Sequence, residues 1–191
     1  MNSEPAVQSH IAFSGQRRLA TGPLSEIVRK AKQTLDRNEH ASITIFETSS
    51  SRIQEIDFRG TAHEVLARLT PNPSTDLVKR GPGRPKLGVI PREVTLLPRH
   101  WEWLNAQPGG ASVALRKLVE EARRLNAPRD RARQAEEAVY RFMTTMAGNL
   151  PNYEEALRAF YARDTKRFEQ LIAAWPKDIR DHTIRLAGAC V

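Results

Sequence analysis

The chain has 191 residues, is 40% hydrophobic and 27% charged, and carries 30 Lys and Arg against 22 Asp and Glu, a formal net charge of +8. That length and balance suit a folded protein of one or two small domains and exclude a disordered polyelectrolyte. No run of about 18 apolar residues is present, so a membrane-spanning helix is not expected; the basic excess suits nucleic acid or an anionic surface, and a solvated basic surface is the alternative that net charge alone does not separate from it.

The start, MNSEPAVQSHIAFSGQ, has neither a basic leader nor an apolar stretch, so no secretory signal is expected and the chain is placed in the cytoplasm. Ile11–Phe13 is a short strand candidate. Gly22-Pro23 opens a helix on which Leu24, Ile27, Val28, Ala31 and Leu35 recur at i, i+3, i+4 and i+7, an apolar stripe. Ile43–Glu47 and Arg52–Arg59 are β-rich runs separated by Thr48-Ser49-Ser50-Ser51, which predicts a hairpin. Thr61 and Glu64 have capping-box spacing before Val65, Leu66 and Leu69. Residues 1–70 therefore read as a small β-α-β-β-α domain.

Residues 71–91 are rich in proline and glycine and form a basic linker. Lys79, Arg80, Arg84, Lys86 and Arg92 fall within 14 positions that contain no acid, a density that suits nucleic acid. Residues 92–125 follow as one unit. Glu93–Leu97 is a predicted strand closed by Pro98. Arg99–Gln107 is a helix burying Trp101 and Leu104, Pro108-Gly109-Gly110 breaks the chain, and Ala111–Arg124 is a second helix with Leu115, Leu118, Val119 and Ala122 on one face and Ser112 as its N-cap.

Residues 126–191 read as helical. Ala135, Val139, Phe142, Met143 and Met146 share a face. Asn152 and Asp164 stand at N-cap positions, and Phe168, Leu171, Ile172 and Trp175 form a stripe stopped by Pro176. A last helix holds Ile179, Ile184 and Leu186. The whole is an α+β chain in four parts: the small α+β domain, the linker, the strand-helix-helix unit and the helical C-terminal part.

The strand-helix-helix order of residues 92–125 resembles the ribbon-helix-helix family of DNA-binding proteins. The resemblance implies a homodimer whose paired strands enter the major groove, with Trp101, Leu104, Leu115, Leu118 and Val119 in a shared core. It places Arg92, Val94 and Leu96 on the groove face, of which only Arg92 is a conventional DNA contact. It also aims the start of the second helix, with Ser112, at a phosphate, and puts Arg116 and Lys117 one turn on. Gly83-Arg84-Pro85-Lys86 is similar to the core of an AT-hook, an extended backbone that carries arginine into a narrow minor groove, with Pro82 where a second arginine usually stands. Over nearly its whole length, through GRPKLG, REVTLLPRHWEWLNAQPGGASVALRKLVEEARR and NLPNYEEALRAFYARDTKRFEQLIAAWPKDIRDH, the sequence resembles a bacterial domain-of-unknown-function family, number 2239. That resemblance implies a shared layout and no activity.

Enzyme chemistry is not expected. His10, His40, His63, His100 and His182 form no metal-ligand spacing, and no phosphate loop, nucleotide fingerprint or nucleophile elbow is present. Asp178 with Arg180-Asp181-His182 reads as a surface ion-pair cluster rather than an acid/base site. The single cysteine, Cys190, has no internal disulfide partner. The expectation is a cytoplasmic, dimeric DNA-binding protein without cofactor, a regulator or nucleoid-associated factor, contacting DNA through Arg80, Arg84, Lys86, Arg92, Ser112, Arg116 and Lys117. A non-enzymatic protein-interaction module is the alternative, in which Val94 and Leu96 are interior. RNA binding is a third reading, favoured only by the basic tether.

Overall fold

A computed structural model describes residues 9–69 and 90–190. The linker residues Arg80, Arg84 and Lys86 lie outside that range. The elements run β1 (Ser9–Ser14), β2 (Arg17–Pro23), α1 (Leu24–Arg37), β3 (Ile43–Glu47), α2 (Ala62–Leu69), α3 (Pro98–Asn105), α4 (Gly110–Ala147), α5 (Tyr153–Tyr161), α6 (Thr165–Ile172) and α7 (Lys177–Gly188). The chain divides into two compact units, residues 1–71 with 130–191, and residues 72–129. It is an α+β protein whose C-terminal part is helical.

In the first unit the strands form an antiparallel sheet in the order β2-β1-β3. β1 and β2 are joined by Gly15-Gln16, where Gly15 takes a φ of 55°, a left-handed conformation that tight hairpins require and glycine adopts without strain. The hairpin predicted over residues 43–59 forms only in part. Beyond β3 the chain turns back, Glu47 and Arg52 bond through their backbones at 2.9 Å, and Ile53 bridges Phe46. The run leaves the sheet after Gln54, whose N–H donates to the Ile45 carbonyl at 2.8 Å; further on, the Asp57 side chain accepts from the Arg59 backbone N–H at 3.0 Å and from its guanidinium at 2.9 Å. The Arg59 guanidinium holds the Asp57 carboxyl well below the usual carboxylate range. The order is thus β-β-α-β-α, with β2 as the strand that sequence reasoning missed.

The predicted stripe of α1 is buried through Ile27, Val28 and Ala31, which pack with Ala12, Ile45 and Val65. The capping box of α2 is present: the Thr61 N–H donates to Glu64 Oε2 at 2.7 Å and the Glu64 N–H to Thr61 Oγ1 at 3.3 Å. On the other face of the sheet, Phe13 and Phe46 meet Phe142 of α4, each with ring centroids 5.4 Å apart. Such pairs contribute about 0.5–1.5 kcal/mol each beyond the area they bury. Val139, Met143, Phe168, Ile172, Trp175 and Ile179 complete this core. The N-terminal block and the C-terminal helices, which the sequence presents as separate blocks, therefore share one apolar interior.

Two boundaries differ from expectation. Pro128 does not start a new block; it sits inside α4. A proline in a helix loses one backbone bond and crowds the preceding turn, at a cost of about 3 kcal/mol, and the neighbouring turns sustain the helix through it. Asn152 does stand at the start of α5, but at φ 61° and without a side-chain capping bond. Asp164 caps α6 as expected, its Oδ1 accepting from the Arg167 N–H at 3.1 Å. Asp164→Ala is expected to lower stability by about 1 kcal/mol and Asp164→Asn to retain most of it, as thermal melting would read.

The cluster around His182 is a surface ion pair only in part. Arg180 and Asp181 pair at 3.4 Å, but Asp178 accepts from the Arg18 backbone N–H at 2.8 Å, and His182 is buried against the rings of Phe13 and Phe142. Its position, three residues after Ile179 on the stripe that continues to Leu186, is the signal that sequence reasoning passed over. Cys190 is buried as well, its thiol facing the Leu186 carbonyl at 3.6 Å, and burial pushes its pKa up, which disfavours the reactive thiolate.

Candidate nucleic-acid interface

The second unit holds the residues that the sequence singles out for DNA contact. The strand predicted over 93–97 is not formed: residues 90–97 pair with no strand among the described residues. Val94-Thr95-Leu96 has strand composition, but a strand exists only where a neighbour supplies ladder bonds, and none does among the described residues. The segment ends in an extended residue, Leu97 (φ −65°, ψ 150°), and Pro98 occupies the first turn of α3, where its missing N–H costs least.

α3 is followed by a tight reversal. Gln107 Nε2 donates to the Trp103 carbonyl at 3.1 Å and the Gly110 N–H to the Gln107 carbonyl at 2.9 Å. Gly109 is required there: its φ is 87°, and a Cβ would meet Val113 at 3.2 Å. α4 then begins at Gly110, three residues earlier than a Ser112 cap allows. Ser112 sits inside the first turn and is exposed; its Oγ accepts from Arg116 at 3.4 Å and its carbonyl from Arg116 Nε at 3.0 Å. Ser112 and Arg116 are therefore brought together, on one helix face. Lys117 and Arg92 are exposed. Arg123 is exposed too and pairs with Glu120 at 3.2 Å.

Between α3 and the start of α4 lies an apolar groove of about 290 Å³, lined by Leu96, His100, Trp103, Leu104, Leu115 and Leu118. Leu104 is buried in it and Leu96 half-buried. Other apolar side chains remain open to solvent, among them Val94 at 53%, Trp103 at 53% and Val119 at 62% exposure. Leu96→Lys places a charge against the groove wall, and the long lysine stem lets that charge reach water, so the expected cost is about 1–2 kcal/mol. Faster hydrogen exchange of α3 amides would register it; unchanged exchange would mean that Leu96 does not hold the groove.

The molecule is thus a mixed α+β protein with, in a second unit of residues 72–129, helical structure that bears an exposed apolar surface. The family described as "Uncharacterized protein conserved in bacteria (DUF2239)" matches residues 9–187, and the chain belongs to that family. No curated protein and no solved structure matches it.

Proposed function

We propose that this chain is a cytoplasmic DNA-binding protein, a regulator or nucleoid-associated factor, that works as a homodimer through residues 92–125 and the basic tether before them. The observation that carries the reading is the unsatisfied surface of the second unit. α3, the segment before it and the first turns of α4 leave Val94, Leu97, Trp103 and Val119 in water, an exposed apolar cluster of the kind that marks an interaction surface. A second copy supplies what is missing: a partner strand for residues 93–97 and a cover for the open helix faces. The resulting two-stranded ribbon, followed by helices bearing Arg116 and Lys117 and preceded by Arg80, Arg84, Lys86 and Arg92, has the parts of a β-ribbon DNA reader. The role is binding rather than catalysis, and it calls for no cofactor.

The half-burial of Leu96 and the apolar character of Val94 and Leu97 favour a second reading, a protein-interaction module in which the same surface receives another protein and no DNA is bound. An electrophoretic shift with random genomic fragments, repeated at two salt concentrations, separates the two. The DNA reading expects a shift that weakens steeply with salt. Sedimentation equilibrium at micromolar concentration adds the oligomeric state. A species of 21.6 kDa alone, with no salt-dependent shift, would overturn the proposal.

A further inference from the structure

Residues 116–126 of α4 are exposed on every side, about three turns of helix without a packed face. The stretch is not polar all round. At about 100° per residue, Leu118, Val119, Ala122 and Leu125 fall on one face, in line with Leu115 of the groove against α3. Leu118 is 43%, Val119 62% and Leu125 68% exposed. A helix draws most of its stability from packing such a face, and this one also carries Pro128 just beyond the stripe. An open apolar stripe on a helix of this kind marks a contact with another helix.

Charge says which helix. Glu120 and Glu121 stand on the N-terminal side of Ala122, Arg123 and Arg124 on its C-terminal side. Glu120 pairs with Arg123 at 3.2 Å, whereas Glu121 and Arg124 have no ion-pair partner among the described residues. Glu121 and Arg124 lie toward the same flank of the stripe. The sign of the charge therefore reverses about Ala122. A second α4 laid antiparallel across that residue brings the acidic turn of each copy level with the basic turn of the other; a parallel copy brings like charges level. The two turns are about 5 Å apart along the axis, inside the roughly 8 Å over which charges act at physiological salt. Ala122 has the smallest side chain of the stripe, so two helices approach most closely there. Leu118, Val119, Leu125 and Asn126, one turn away on either side, surround the contact. A partner whose surface is all acidic or all basic matches one turn and opposes the other, whereas the chain's own order is self-complementary.

We propose that two copies of the chain pair through α4, crossing antiparallel about a two-fold axis at Ala122, with Leu118, Val119 and Leu125 as the apolar seam and Glu121 of each copy beside Arg124 of the other. This rests on the dimeric reading above and holds whether or not DNA is bound.

The test is disulfide trapping of the full-length chain under mild oxidation. The wild type, whose only thiol is the buried Cys190, is the background and should give no cross-linked dimer. Ala122→Cys should cross-link to itself, because the two-fold axis sets the two thiols face to face, and Glu120→Cys, on the far side of the helix, should not. Leu118→Cys alone and Asn126→Cys alone should not cross-link, since like positions in an antiparallel pair stand about 12 Å apart along the seam, beyond the roughly 7 Å that a disulfide spans. An equimolar mixture of the two should, because position 118 of one copy is level with position 126 of the other. Leu125→Asp should raise the dimer dissociation constant about tenfold or more in sedimentation equilibrium. Self-linking of Leu118→Cys would mean a parallel pair and overturn the proposal, as would cross-linking of Glu120→Cys as fast as Ala122→Cys, or an unchanged dissociation constant for Leu125→Asp. A chain that sediments as a dimer and shifts DNA, yet does not link through Ala122→Cys, would sink this seam alone. A chain that links as expected but shows no salt-dependent DNA shift would support the seam and sink the DNA reading.

Discussion

Acidification from pH 6.5 to pH 4 is expected to cost the wild-type chain about 3 kcal/mol more unfolding free energy than it costs a His182→Leu variant. Burial of the imidazole among Phe13 and Phe142 pulls the His182 pKa from 6.5 down to about 4, and the positive charges of Arg185 and Arg18 act in the same direction. Arg185 donates to Nδ1, which fixes that nitrogen as an acceptor and leaves the buried Nε2 without a partner. A folded-state pKa below the unfolded one means that the unfolded chain binds the proton first. Stability from this group is therefore complete above pH 6.5, falls as the pH drops below it, and levels off near pH 4, where the folded state also protonates. A gap of about 2.5 units at 1.36 kcal/mol per unit sets the magnitude. Leucine fills much of the same volume, leaves no orphan, and frees Arg185 to turn to water. Denaturant unfolding across this pH range should give two curves whose separation changes by about 3 kcal/mol as the pH falls, the wild type dropping and the variant nearly flat from this source. Parallel curves would show that His182 does not titrate in the window.

Replacing Arg80, Arg84 and Lys86 together with alanine should have the largest effect on DNA affinity. Each phosphate that a cation neutralises releases about 0.9 counterion, so three lost contacts lower the log–log salt slope by about 2–3 units. The slope, measured by titrating DNA at several salt concentrations, reads contacts directly and is insensitive to changes in fold elsewhere. An unchanged slope would remove the tether from the interface. A loss confined to A·T-rich probes would point to minor-groove insertion by Arg84.

The two variants probe parts of the chain that were unequally legible in its sequence. The tether is a matter of composition: five basic residues among glycines and prolines need no tertiary information to suggest a polyanion. His182 is the reverse. Its neighbours in sequence, Asp181 and Arg180, are charged and half-buried or exposed, and only the packing of α7 beside Phe13 and Phe142 removes the imidazole from water. The docking of the turn after β3 on α4 was likewise invisible, because the Arg141 guanidinium and the Ser50 carbonyl that it bonds are 91 positions apart.

What the sequence by itself determined was local. The apolar stripe of α1, the capping box at Thr61 and Glu64, the Asp164 cap and the face of α4 around Phe142 all follow from side chains within a few residues of one another, and each formed as read. Tertiary structure decided the rest, because it depends on what a segment meets across space. Residues 43–47 became a strand because β1 lies beside them, whereas the equally β-rich 93–97 did not, lacking a neighbour among the described residues. Pro128 failed to end α4 because a helix that packs Val139, Phe142 and Met143 into a core gains more than one missing backbone bond removes. Propensity proposes where helices and strands can begin and end, and burial against distant partners decides which of those proposals the chain keeps.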